Sequence, residues 1–400
     1  MIHKFSFQRG TVSYANRFLR TEAYQRIMNG AGSNGFGSGG TRGGNNTNVN
    51  IMKVDHHFLA LTESPGIVEF DPLDLKTIGL YTFNDDIPAH MTTAYPHLDI
   101  YSGQIINFSL QFGRINQYHV YSIDPKTAKR RVIGTVETEE PAYMHSFAVT
   151  EHYVILIEFP LVIQPLLLMS EGISFVDSLA WKSDLGTRLL VMNKASGKVE
   201  RVVEGEAGFG YHVINAYEKG SDVILDICMS ATAAAVNNLF IDRMTGEDSA
   251  QSHPKFKRLY LSPGKSDARI ETLSPETIEL PSIHYQQFNG REYRFAYGIS
   301  TSPLCPENVS NQLIKIDTQT GDTRIWYEED QYPGEPIFVP SSGSTAEDDE
   351  VLLSVVLDGM KGLSYLLVLN ARNLEEVGRA QVPHHIPFGF HGIYATEGGF

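Results

Sequence analysis

Along most of this chain apolar and polar residues alternate with a period of two, and the alternating runs end at clusters of Asp, Asn, Gly and Pro. This is the pattern of short, half-buried strands; the three- and four-residue spacing of amphipathic helices is scarce. One signature recurs, in which an apolar strand ends in Asp or Asn, passes through a polar turn and returns as a second strand. It reads VEFDPLDLKTIG around Asp71, YSIDPKTAKRRV around Asp124, LVMNKASGKVER around Asn193, FIDRMTGEDSA around Asp242, IKIDTQTGDTRIW around Asp317 and LVLNARNLEEVG around Asn370. The Asp or Asn side chain bonds to the backbone just beyond it, and Gly197, Gly246 and Gly321 suit the positive φ of a tight turn. Hairpins repeated at intervals of roughly 50 to 75 residues predict a β-propeller, one hairpin per four-stranded blade. The two longest intervals hold Phe159 to Trp181 and Gln251 to Pro281, read as insertions on a blade scaffold within a single domain spanning residues 1–400. The strand-helix alternation of a doubly wound α/β fold is absent.

Two segments stand outside this pattern. Tyr153 to Met169 (YVILIEFPLVIQPLLLM) is the most apolar stretch, but Glu158, Pro160, Gln164 and Pro165 interrupt it well short of the roughly 20 residues a membrane-spanning helix needs. It predicts a buried strand over Tyr153 to Phe159, then an apolar loop or short helix whose residues 160–169 suit peripheral contact with a membrane or the mouth of a lipid pocket. Asn29 to Asn48 is rich in Gly and Asn, yet it lacks the strand-loop-helix context of a phosphate-binding loop and reads as a surface loop.

Charge narrows the partners. The formal net charge of −15, with no run of Lys or Arg, argues against nucleic acid. Cys228 and Cys305 are the two cysteines, too few for a disulfide framework, and reduced thiols in a cytoplasmic protein are expected. No signal peptide is visible at the start, MIHKFSFQRG.

Motifs for nucleophilic chemistry are missing: there is no GxSxG, HExxH or CxxC. What remains is a set of histidines at strand ends, preceded by aromatic or small residues. His145 lies in PAYMHSFAV, His212 in GFGYHVINAYE and His391 in PFGFHGIYA. The innermost strands of a propeller run along one axis, so residues distant in sequence can converge on one ion, and neutral imidazoles with open positions suit iron and dioxygen. Most of the 14 histidines should nevertheless be structural or exposed.

The sequence around these histidines resembles the carotenoid cleavage oxygenases. The resemblance runs from Val12 to Gly392 through VSYANRFLRTEAYQ, NTNVNIMKVDHHFLALTE, TTAYPHLD, YMHSFAVTEHYVILIE, YHVINAYE, IELPSIHYQQFNGREYRFAYG, YPGEPIFVP, EDDEVLLSVVLDG and PFGFHG. It implies an all-β, seven-bladed β-propeller with a loop or helical cap over an apolar tunnel, the first blade being incomplete at the N-terminus. It implies a non-haem iron cofactor, Fe(2+), held by histidines, of which His145, His212 and His391 match the family's motifs. Glu63, Glu279 and Glu335 match the glutamates that accept from the far ring nitrogen, which fixes the tautomer and offsets the ion's charge. The implied activity is cleavage by dioxygen of a conjugated double bond in a carotenoid, apocarotenoid or related polyene, giving aldehydes or ketones, with no catalytic residue beyond the metal ligands.

The chain departs from the family where a T-A-H-P motif is expected. It reads Thr93-Ala94-Tyr95-Pro96-His97, so Tyr95 stands at the fourth histidine's position. A phenol has a pKa near 10 and coordinates mainly as phenolate, which favours ferric over ferrous iron. By the resemblance the position is the one without a glutamate partner, so a three-histidine site is compatible with it, and His97 is expected to stand behind the ligands or to be structural. The alternative reading is a catalytically impaired member that binds an apolar isoprenoid.

Overall fold

The computed structural model describes residues 1–30, 46–170, 173–238, 253–303, 309–341, 343 and 346–396. Antiparallel strands dominate, and the helices among the described residues are no longer than the seven-residue Glu22–Met28. The chain groups into two compact units, one comprising Met1–His145, Leu161–Trp181 and Asn193–Val199, the other Ser146–Pro160, Lys182–Met192 and Glu200–Phe400.

The first unit contains a two-stranded ribbon, Ile2–Gln8 with Thr11–Arg17, and two larger sheets. Sheet 1 is a meander of Asn50–Val54, His57–Leu61, Ile67–Phe70 and Thr77–Tyr81. In sheet 2 the short strands Met91–Thr92 and His97–Asp99 both pair with Gln104–Gln111, which is followed by Asn116–Ile123 and Arg130–Thr138. Val54, Leu59, Leu61, Ile105, Tyr121 and Ile123 form the apolar layer joining these sheets.

The second unit carries most of sheet 3 (Ala148–Val149, Tyr153–Glu158, Thr187–Asn193, Val199–Gly205) and all of the next three sheets. Sheet 4 is Val213–Lys219, Asp222–Met229, Lys255–Leu261 and Arg269–Thr277. Sheet 5 is Glu279–Ser282, Phe295–Ser300, Gln312–Asp317 and Thr323–Tyr327. Sheet 6 sets Gln331–Pro333 and Ile337–Pro340 against Glu350–Asp358, then Leu363–Asn370 and Glu376–Gln381. Burial explains the composition of each sheet. In the strand Asp222–Met229 every residue from Val223 on is buried and the sequence, DVILDICM, is almost wholly apolar after its first residue, whereas the outer strand Arg130–Thr138 is mostly exposed or half-buried.

The resemblance implies seven blades, and this expectation is corrected: among the described residues there are six sheets of four or five strands, beside the ribbons. A second correction concerns Gln251 to Pro281, which is no insertion, since it supplies the two outer strands of sheet 4. Phe159 to Trp181 does interrupt a sheet, between the second and third strands of sheet 3. It forms the ribbon Leu161–Ile163 with Leu179–Trp181 and the one-turn helix Pro165–Leu168. Asp242, Gly246, Cys305 and most of the Gly- and Asn-rich segment lie outside the described residues.

Five of the signature hairpins join the last two strands of their sheets through one shared turn. The amide of the residue four on from Asp71, Asp124, Asn193, Asp317 or Asn370 donates to the carbonyl of that residue at 2.8–2.9 Å. The donor occupies the left-handed region in every copy: Leu75, Ala128, Gly197, Gly321 and Leu374 have φ of 61°, 56°, 68°, 78° and 59°. A left-handed conformation costs a leucine about 1–2 kcal/mol. Leu75 and Leu374 are 3% and 5% exposed, and burying such a side chain contributes about 1.5–3 kcal/mol, so packing outweighs the strain.

Candidate metal centre

In the first unit, the segment between the short strands Met91–Thr92 and His97–Asp99 is the T-A-Y-P sequence, and its backbone is tied down from three sides. The Asn107 side-chain amide donates to the Thr93 carbonyl at 3.1 Å, the Tyr95 amide donates to the Thr93 hydroxyl at 3.0 Å, and that hydroxyl donates to the carbonyl of His145. His145 is buried, and its Nδ1 donates to Glu63 Oε1 at 2.6 Å. Glu63 stands just beyond sheet 1, where its carbonyl accepts from the Thr92 amide at 3.0 Å. Both its carboxylate oxygens accept from the Tyr143 hydroxyl at 3.1 Å. The carboxylate is therefore gripped from two directions before it grips the imidazole. Tyr95 lies with its ring centroid 6.0 Å from that of His145 and 5.5 Å from that of His97, which is itself buried in the sheet, paired with Ile106.

The second unit holds two further imidazoles. His212 precedes the strand Val213–Lys219, and its carbonyl accepts from the Cys228 amide at 3.0 Å. Its Nδ1 donates to Glu279 Oε2 at 2.5 Å, an oxygen that also accepts from the Leu280 amide at 2.6 Å. His391 Nδ1 donates to Glu335 Oε1 at 2.8 Å, and the Gly392 amide donates to the other oxygen at 2.9 Å. Both imidazole side chains are almost wholly buried, at 6% and 2% exposed. The Cys228 thiol nearby is inert: burial, and after it the Glu279 charge, push its pKa well up.

The two Nε2 atoms face each other at 3.0 Å, with the rings edge to face and their centroids 4.8 Å apart. Each Nδ1 proton is taken by a carboxylate, so each Nε2 of a neutral ring presents a lone pair. Two lone pairs at this separation repel unless a cation lies in reach of both. A buried pair of imidazole donors, each backed by a carboxylate, is what a borderline transition metal such as iron requires, so the residues fit the expected ion.

All six expected His and Glu residues thus occur in three carboxylate-imidazole pairs. Two residues of the assembly escaped the sequence reading. Tyr143 lies two positions before His145 and serves Glu63, while the Thr93 hydroxyl links Tyr95 to the His145 backbone; an aromatic in PAYMH and a threonine in TAYP were the available signals.

Comparison with known proteins bears on what this arrangement serves. Residues 1–396 match the family model described as retinal pigment epithelial membrane protein. The chain is 29% identical over 441 residues to the carotenoid isomerooxygenase of Galleria mellonella, covering 98% of this chain and 85% of that protein. It is 28% identical to the mitochondrial carotenoid-cleaving dioxygenase of Homo sapiens, covering 98% of this chain and 81% of that protein. Among solved structures, cobalt-substituted Synechocystis ACO superposes with a TM-score of 0.89 at 24% identity, covering 98% of this chain and 86% of that chain. An ACO/RPE65 chimera gives 0.87 at the same identity, covering 97% and 85%. At that identity the likeness shows the all-β propeller fold.

Proposed function

Because the chain belongs to the carotenoid oxygenase family of retinal pigment epithelial membrane protein, we propose that it is a ferrous-iron dioxygenase. Its substrate is a carotenoid, apocarotenoid or related polyene, cleaved at a conjugated double bond to aldehyde or ketone products. The observation that carries this reading is the His212 and His391 pair, with two carboxylate-backed Nε2 atoms 3.0 Å apart.

His145 is the third ligand in this reading. Its support is the motif it sits in, PAYMHSFAV, and its own carboxylate partner Glu63. Iron, when bound, supplies the activation of dioxygen. The chain's own groups do the rest. Glu63, Glu279 and Glu335 hold the Nδ1 protons, orient the rings and offset the ion's charge. Tyr95 takes the fourth histidine's position, and because a neutral phenol is a poor ligand, the three imidazoles would hold the ion. The comparisons lend no support to the alternative of an impaired isoprenoid binder. We also propose peripheral membrane contact through residues 160–169, where Leu166 in the helix Pro165–Leu168 and Met169 just after it are 85% and 75% exposed. Among the described residues no helix is long and apolar enough to cross a membrane.

The test is iron content after ferrous reconstitution, with oxygen-dependent loss of polyene absorbance followed in the same samples, for wild type beside Tyr95→His. One iron per chain with bleaching by wild type supports the proposal. Absence of both in wild type with recovery in Tyr95→His overturns it in favour of an inactivated descendant.

A further inference from the structure

A second group of imidazoles lies on the hairpin that joins the first two strands of sheet 1. The turn passes through Asp55 and His56, with Asp55 in the left-handed region at φ 52° and its amide donating to the Pro125 carbonyl at 2.5 Å. His57 begins the second strand, where its Nδ1 donates to Glu69 Oε1 at 2.5 Å, and its ring packs 4.9 Å from that of Tyr81. The His57 side chain is 23% exposed and that of Glu69 is 17% exposed, so this pair is held in place. His56 lies beside it with ring centroids 3.9 Å apart, and its Nδ1 contacts Asp55 Oδ2 at 2.7 Å.

This cluster shares one element with the site above, a carboxylate that takes the Nδ1 proton and leaves Nε2 as a lone-pair donor. It differs in being open to solvent. One candidate ligand atom from each of Asp55, His56 and His57 lies within 4.8 Å of the others. Donors about 2.0–2.2 Å from one ion are at most about 4.4 Å apart, so a small rotation of His56, whose side chain is 74% exposed, closes the set. The carboxylates of Asp55 and Glu69 stand beside the two rings. Tyr81 registers this: burial, then Glu69, then Asp55 raise its pKa against the opposing Arg130.

We propose that Asp55, His56 and His57 form a surface site for a divalent transition metal of the nickel, copper and zinc class, with Glu69 as the positioning residue for His57. Two imidazoles and one carboxylate match the preference of those borderline ions, and the exposure makes the ion exchangeable. The site is independent of the buried histidines.

The experiment titrates nickel(II) by calorimetry into the full chain already loaded with ferrous iron, for wild type, His56→Ala, His57→Ala, Glu69→Gln and, as a histidine outside the cluster, His90→Ala. One nickel site per chain is expected in wild type and in His90→Ala. Affinity should fall at least tenfold in the two hairpin histidine variants, and about 10- to 100-fold in Glu69→Gln, with iron content unchanged. His56 is exposed enough that its removal spares the fold. No nickel site in the iron-loaded wild type, or equal affinity in His56→Ala, overturns the assignment.

Discussion

The hydroxyl of Thr93 donates to the carbonyl of His145 and at the same time accepts the amide of Tyr95. One side chain thus fixes the separation between Tyr95 and His145. Thr93→Val keeps the shape and removes both bonds, leaving a buried carbonyl without this donor. We expect a loss of about 1–3 kcal/mol in unfolding free energy, read from denaturant titration, and a much smaller loss in Thr93→Ser.

The carboxylates should matter for metal affinity more than for folding. Glu335→Gln is expected to weaken iron binding by about 10- to 100-fold in competition with a chelator. Tyr143→Phe leaves the Glu63 to His145 bond in place and removes only what steadies Glu63, so a loss of less than about tenfold is expected. A larger effect in Tyr143→Phe than in Glu335→Gln would contradict this order.

Acid should weaken the first unit through Asp85. Burial raises its pKa, but the Arg130 guanidinium, which holds both oxygens at 2.5 and 2.8 Å, and the Ile87 amide outweigh burial and keep it below the ordinary value. A carboxylate with a depressed folded pKa stabilises above its unfolded pKa of about 3.9 and loses that contribution as pH falls through the folded value. The melting temperature of wild type should exceed that of Asp85→Asn at neutral pH, and the gap should narrow below about pH 4.

Membrane contact through the helix Pro165–Leu168 predicts that Leu166→Asp with Leu167→Asp reduces sedimentation with liposomes. The melting temperature should stay the same, because Leu166 is exposed and Leu167 is partly exposed while Leu168 is buried. Unchanged sedimentation would remove the proposal.

Much of this was legible in the sequence because strand alternation and turn chemistry are local. The Asp and Asn of the five described hairpins accept from the backbone just beyond them as read, and His145, His212 and His391 each donate to one of the expected glutamates. The blade number was not legible: the resemblance implied seven, where six sheets of four or five strands stand among the described residues. The strands Lys255–Leu261 and Arg269–Thr277 were missed because they turn through 262–268 without the Asp or Asn signature, so the segment looked like an insertion. Glycine was expected at the left-handed turn position, but Leu75 and Leu374 occupy it, since the burial that offsets their strain is a long-range property that no local pattern announces. Thr93 and Tyr143 were missed for a similar reason: their partners lie 52 and 80 residues away.

The recurrent turn also sets how freely each copy can change. At Gly197 an added Cβ would fall 2.1 Å from the Ile133 carbonyl oxygen, and at Gly321 it would sit 3.0 Å from that of Leu273. Where the turn instead carries Leu75 or Leu374, a large side chain is part of the apolar interior and glycine would leave a void. Four of the five structurally equivalent positions therefore obey opposite rules of substitution, two refusing any side chain and two requiring a large one. A profile built by averaging the repeats would misjudge those four, and each turn has to drift on its own terms.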